Sequence, residues 1–356
     1  MTTTPSITIN GRRIGRGHPT YVVAEMSANH HQRYDEAVEI IHAAKAAGAD
    51  AVKLQTYTAD TITIDGAGAE FRVPDGSLWS GRTLHDLYEE AHTPWAWQPR
   101  LKAEADRLGL DCFSSPFDAS AVDFLETMDV PAYKVASFEL VDLGLIERIA
   151  RTGRPMIMST GMGTPEEIAE ALAAARGAGA RDVALLKCTS AYPAPPDEMN
   201  VGVIPHLAER FGVPVGLSDH SLAPAVAVAA VALGACIVEK HFTLSRAAGG
   251  PDSAFSLEPA EFRELVDAIR VAERSLGSGV PTVTDGERAN RIFRRSLYVV
   301  EAVAAGEPFT EKNVRSIRPA FGLPPKHLRA VLGRTAARAI PRGTPLAWEH
   351  VDGAAR

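Results

Sequence analysis

PMIMSTGMGTPEEIAEALAAARGAGARDVALLKCTS, residues 155–190, holds the unit from which the rest of the chain can be read. A short apolar run, PMIMST, ends in hydroxyls. Thr164 then precedes Pro165, Glu166 and Glu167, which reads as an N-cap, a proline at the first helical position and an acidic first turn. An Ala-rich helical stretch, 165–175, follows, and a second apolar run, VALLKCTS, starts at Val183. The same alternation extends in both directions. Further runs are YVVAEMS from Tyr21, AVKLQTY from Ala51, DCFSS from Asp111, AYKVAS from Ala132, PVGLSD from Pro214 and CIVEKHF from Cys236. Other helical stretches fall at 35–47, 97–108 and 224–233, with a last one at 259–276. Strands alternating with helices imply a parallel sheet. Eight such units predict an α/β fold, a closed (β/α)8 TIM barrel with its chemistry where the strands end. A doubly wound sheet competes, but no Gly-rich dinucleotide turn follows the first run.

The regularity breaks in two places. Residues 59–94 are too long for an ordinary strand-to-helix loop. They read as an active-site lid or an oligomer contact, with Phe71, Trp79, Tyr88, Trp95 and Trp97 giving the insertion a core of its own. After the barrel, taken as 1–280, residues 281–295 read as a linker. Residues 296–356 read as a small turn-rich β domain whose core is marginal for its size. The chain is 46% hydrophobic and 23% charged, with net charge −7. That balance argues against nucleic acid or an anionic membrane as main partner. The N-terminal MTTTPSITINGRRIGRGH lacks the apolar core of a signal peptide, and no run is long enough for a membrane span, so a cytoplasmic location is expected. Cys112, Cys188 and Cys236 show no pairing or zinc spacing and read as small buried hydrophobes.

Strands buried on both faces should be almost wholly apolar, and these are not. Alternation puts Glu25 and Ser27 on one face of the first strand, and Lys53, Gln55 and Tyr57 on one face of the second. Lys134 lies opposite Tyr133 and Val135. Ser218 aligns with His220, and Glu239 with His241. Lysines in barrel strands need a partner. Lys53 and Lys134 either pair with carboxylates such as Glu25 and Glu239, or, with Ser115, Ser137, Ser159 and Ser218, hold a phosphate and a carboxylate. His220 and His241 end adjacent strands and are either hydrogen-bonded core residues or an incomplete metal site. His30 and His31 could line the mouth. His18, His42, His92, His206 and His350 read as surface residues. Glu25 is a candidate general acid or base.

These residues sit in motifs that resemble the sialic acid synthase family over nearly the whole chain: AEMSANH (24–30), AGADAVKLQTY (47–57), FSSPFD (113–118), YKVASFE (133–139) and STGMGTPEEI (159–168). The match continues through KCTSAYPAP (187–195), VGLSDHS (215–221), VEKHFTL (238–244), GPDSAFSLEP (250–259) and IRPAFGLPPK (317–326). The last is similar to the antifreeze-like (SAF, β-clip) domain of these enzymes. The resemblance implies that phosphoenolpyruvate is joined to an amino sugar aldehyde. It implies that Lys53, Ser115, Lys134, Ser137, Ser159 and Ser218 hold phosphoenolpyruvate, and that Gln55, Glu139, Tyr192 and Asp252 face the sugar. His220 and His241 would bind a divalent ion, Mn2+ first, with Mg2+ or Co2+ as alternatives. Arg318 would reach over a neighbouring subunit's barrel in a domain-swapped homodimer. Several segments, among them the LWSGRTLHDLYEEAHTPWAW insertion, look closer to the pseudaminic acid branch, and Phe138 stands where N-acetylneuraminate synthases usually have Gly. GGPDS (249–253) resembles the N-acetylneuraminate branch instead, and Ser190 replaces an Asn of that branch. The competing readings are a synthase for N-acetylneuraminic or legionaminic acid, a non-catalytic carbohydrate-binding or coat-assembly barrel, and a lysine Schiff-base aldolase.

Overall fold

The computed structural model describes residues 5–353 and divides into two compact units, with the boundary between Gly277 and Ser278. The first is a closed barrel of eight parallel strands in chain order, the eighth pairing with the first. The strands are Tyr21–Glu25, Ala51–Thr56, Asp111–Pro116, Tyr133–Val135, Met156–Ser159, Val183–Cys188, Val215–Asp219 and Ile237–His241. Seven fall within a run read from the sequence, and the third extends one residue past its run, to Pro116. Val52, Leu54, Tyr133 and Val135 point outward into the apolar layer beneath the helices, as the alternation requires.

Thr164 caps the helix Pro165–Gly177, and its hydroxyl accepts from the Glu167 amide at 3.2 Å. The Glu167 carboxylate in turn accepts from the Thr164 amide at 2.7 Å. The two bonds satisfy donors that a helix start otherwise leaves open, an arrangement worth about 1 kcal/mol.

An N-terminal hairpin, Ser6–Ile9 with Arg12–Gly15, is not legible in the sequence. It packs Ile7, Ile9 and Ile14 into the barrel core, each burial contributing roughly 2 kcal/mol. Asn10 donates to Asp111 at 2.8 Å and Arg12 pairs with Asp50. Those acceptors lie at or just before strand starts, so the hairpin covers the end of the barrel opposite the chemistry.

The insertion is not a separate core. It forms the helices Ala59–Ile62 and Leu84–Ala91 and a short turn of helix at Ala69–Phe71. Trp95 stacks on Phe124 with ring centroids 4.8 Å apart, and Trp97 packs edge-on against His30 and Tyr34. Both indoles therefore belong to the barrel's outer layer.

The second unit begins with the helix Asp285–Asn290, capped by Thr284, inside the stretch read as a linker. Ser296–Val299 pairs antiparallel with Val314–Ile317, and single bridges such as Val303 to Ile340 and Ala336 to Val351 tie the turns together. Its core is small, built on Leu297, Val299, Phe309, Val314, Ile340 and Leu346. His350, expected at the surface, is buried there: its Nδ1 accepts from the Ala347 amide at 3.1 Å. That bond closes the final turn, a role invisible without the fold. Among the described residues no helix is long and apolar enough to cross a membrane.

Candidate active site

Strand register sets the site. His241 lies beside Glu25, and Glu25 beside Lys53, so three adjacent strands present an imidazole, a carboxyl and an ammonium at one level. Across the barrel, Lys134 Nζ donates to Ser159 Oγ at 2.6 Å. All of these except Glu25 line a cavity of about 570 Å³ at the C-terminal strand ends. Its floor includes Lys53, Ser115, Lys134, Ser137, Ser159 and Ser218. Gln55, Glu139, Tyr192, His220, His241 and Asp252 line it higher up. Gly161 permits the close fit of the Ser137 loop. A Cβ there would lie 2.2 Å from Ser190 Oγ and 2.7 Å from Ser137 Oγ.

The lysines pair with carboxylates, one of the two arrangements the sequence left open. Lys53 Nζ is 2.6 Å from Glu25 and 3.6 Å from Glu239, and Lys134 Nζ is 3.9 Å from Glu239. Burial opposes the charge on Lys53, but Glu239 and Glu25 outweigh it and hold its pKa above the usual lysine value. Lys134 is held below that value by burial, with Lys53 adding repulsion. Lys53 also donates to Ser115 Oγ at 3.2 Å. Ammonium groups seated beside hydroxyls are the donor set that a phosphate or carboxylate requires.

Glu25 lies one step beneath the cavity. It is fully buried, pairs with Lys53 and accepts from Gln55 Nε2 at 3.0 Å. Burial pushes its carboxyl up to about 7, with Lys53 pulling the other way and Glu239 adding to the rise. Gln55 Nε2 also donates to Ser27 Oγ at 3.0 Å, so its amide nitrogen orients neighbours as well as facing the cavity. Asp252 accepts from Ser27 and, at 3.3 Å, from the Ala28 amide.

The rings of His220 and His241 are 5.3 Å apart. His220 Nδ1 donates to the Thr189 carbonyl at 2.9 Å, which leaves its Nε2 for a ligand. His241 Nδ1 is buried without a hydrogen-bond partner. Burial, His220 and the nearby lysines keep His241 well below the usual histidine range, so its imidazole is neutral and ligand-competent. An orphaned buried nitrogen beside a second imidazole that is held through its Nδ1 fits a divalent ion. Among the described residues no cluster of three or more His, Cys, Asp or Glu forms a closed cage. Two imidazoles would leave positions for water and substrate, as catalytic ions require.

Three expectations change. His30 is buried against Thr93 Oγ1 at 3.1 Å, and His31 is bound to Glu36 and the Gly249 carbonyl; both brace the mouth and neither lines the cavity. Cys112 and Cys236 are inert, pushed up to about 12 by burial. Cys188 is a cavity residue 4.0 Å from His220 Nδ1; burial opposes ionisation, yet the hydrogen bond and charge of His220 bring its thiol down to about 7. Glu239 reads from the sequence only as an ion-pair partner, although its spacing of two from His241 puts it on the inner face. The cavity also has an apolar side, lined by Ile62, Leu84, Leu87 and Tyr88 of the insertion with Phe117 and Phe138; the sequence points to Phe138 and the aromatic insertion for such a wall, but not to Ile62, Leu84, Leu87 or Phe117.

Glu139 carries a testable pH dependence. Its Oε2 is buried without a partner, and burial lifts its carboxyl from 4.5 to about 7. Between those values the folded protein holds more protons than the unfolded chain, so stability falls as pH rises through the window. Glu139→Gln should raise stability by about 2–3 kcal/mol near pH 8 and leave it unchanged near pH 4.5. Thermal melts at the two pH values check this, and equal gains at both would contradict it.

Cations, hydroxyls and imidazoles converge where a (β/α)8 barrel carries its chemistry, which defines the class as a barrel enzyme. The NeuB family model matches residues 40–281, and the SAF domain model matches residues 294–352. A pseudaminic acid synthase of Campylobacter jejuni is 44% identical, covering 92% of this chain and 95% of its own. One of Helicobacter pylori is 41% identical, covering 94% and 98%. The crystal structure of the spore coat polysaccharide biosynthesis protein SpsE of Bacillus subtilis aligns with a TM-score of 0.66 at 32% identity, covering 97% of this chain and 99% of that one. The chain belongs to the NeuB family.

Proposed function

We propose that this chain is a pseudaminic acid synthase. It condenses phosphoenolpyruvate, 2,4-diacetamido-2,4,6-trideoxy-altrose and water to pseudaminic acid and phosphate. The observation that carries the reading is the division of the cavity. Its floor is cationic and hydroxylated, while its far wall, Ile62, Leu84, Leu87, Phe117 and Phe138, is apolar. A 6-deoxy sugar ends in a methyl group, and such a wall buries it without stranding a hydroxyl. The likeness to the Campylobacter and Helicobacter synthases supports the same choice.

C3 of phosphoenolpyruvate forms the new bond to the aldehyde carbon, which leaves an oxocarbenium at C2. Water adds at C2, and the bond from C2 to the phosphate oxygen then breaks. Lys53, Lys134 and the hydroxyls of Ser115, Ser137, Ser159 and Ser218 would bind the phosphate and carboxylate and orient C3. Glu25, poised near neutrality, would exchange a proton at the reacting centre through the floor. His220 and His241 would hold the divalent ion, Mn2+ before Mg2+ or Co2+. When bound, that ion supplies Lewis acidity for the sugar carbonyl. Asp252, Tyr192, Gln55 and Glu139 would position the sugar.

Arg318 is exposed on the second unit, and its proposed role is to close the mouth of a second copy's barrel in a homodimer. With no membrane-spanning helix among the described residues, a cytoplasmic enzyme is the reading adopted.

The test is phosphate release from phosphoenolpyruvate with Mn2+ and each sugar in turn. Release with the altrose derivative is expected. Release only with N-acetylmannosamine or the legionaminic acid precursor would replace the assignment. No release with any sugar would favour a carbohydrate-binding or coat-assembly barrel.

A further inference from the structure

Behind the two imidazoles, on the helix side of the barrel wall, lies a buried ion pair. Lys240 Nζ is 2.9 Å from Asp219 Oδ2, with side-chain exposures of 1% and 0%. His220 and His241 line the cavity. Alternation therefore turns their chain neighbours Asp219 and Lys240 away from it. The two residues are also register partners on adjacent strands.

The pair does more than neutralise itself. Asp219 Oδ1 accepts from the Ser221 amide at 2.8 Å, and Lys240 Nζ donates to the Ser221 carbonyl. The residues on both sides of His220 are thus tied to one ammonium, and that ammonium belongs to the residue before His241. On the cavity side, the His220 ring is held by the Thr189 carbonyl, and its own carbonyl accepts from the Ala194 amide at 3.1 Å.

A buried ion pair is seldom explained by stability, since apolar residues of similar size often serve as well or better. What it provides is a defined geometry. We infer that Lys240, through Asp219 and Ser221, is the positioning residue that fixes the His220 and His241 imidazoles relative to one another. The inference rests on the reading of those two histidines as metal ligands. It makes Lys240 and Asp219 the support of a two-imidazole site, and support of this kind is commonly worth about 10- to 100-fold in metal affinity.

The test uses the full chain, stripped of metal, titrated with Mn2+ alone and followed by the electron paramagnetic resonance signal of the free ion. Thermal midpoint and phosphoenolpyruvate affinity are measured beside it. Replacing only one partner strands a buried charge, so the main variant is Lys240→Met with Asp219→Asn. Its Mn2+ affinity should fall about 10- to 100-fold, with the midpoint and phosphoenolpyruvate affinity close to those of the unaltered chain. Unchanged Mn2+ affinity in the folded variant overturns the inference. So does a parallel loss of all three quantities, which would mark a general loosening. If that variant does not fold, Lys240→Gln with Asp219→Asn, which also removes both charges together, is judged by the same criteria. An unaltered chain that binds no Mn2+ overturns the metal reading and the inference with it.

Discussion

Glu25→Gln should lower kcat by roughly 10²- to 10⁴-fold, the usual range for loss of a positioned acid or base. The substitution keeps the shape of the side chain and its contact with Gln55, but removes the proton exchange. The buried position of Glu25 beneath Lys53 gives a second use to the same variant. If proton transfer is its role, kcat falls and KM for phosphoenolpyruvate stays nearly constant. If Glu25 serves only to hold Lys53, KM shifts and kcat does not. Phosphate-release kinetics separate the two outcomes. Mixing Glu25→Gln with Arg318→Ala chains tests the second-subunit role as well. In a mixed dimer, the barrel with intact Glu25 receives an intact Arg318 from the other chain, so activity should recover. No gain over the separate variants, with mixed dimers verified, would remove Arg318 from the neighbouring site.

His241→Ala should abolish turnover and weaken Mn2+ binding by on the order of 100-fold or more, since losing a ligand costs at least as much as losing its support. The unpartnered Nδ1 and the neutral ring motivate this. A buried imidazole with no hydrogen bond is costly to keep, and a bound ion would compensate that cost. Calorimetric titration of the metal-free chain with Mn2+ reads the affinity, and circular dichroism checks that the barrel persists. Full activity in the presence of a strong chelator would remove the metal from the reaction.

The apolar wall explains why the acceptor sugar is the hardest feature to read. Phe138 carries an identity clue in the sequence, yet Leu84 and Leu87 reach the same cavity from an insertion whose path no periodicity reports. Its aromatics divide between jobs. Trp79 and Tyr88 face the cavity, while Trp95 and Trp97 pack on the barrel's outside. Residue type alone does not separate them.

The sequence by itself determined the barrel, because a strand buried on both faces must be apolar and a surface helix must alternate at its own period. It also determined which side chains face inward, because alternation along a strand leaves no choice once one residue is assigned. Lys53, Lys134, His220 and His241 were legible for that reason. Only the tertiary structure decided how far apart these groups lie. Strand register put His241, Glu25 and Lys53 at one level, and register is set by packing around the whole barrel. The same packing brought Glu239 between two lysines, sank Glu25 below the cavity floor and placed Lys240 behind the imidazoles. Each of these is a contact between residues distant in the chain, so no local pattern could have recorded it.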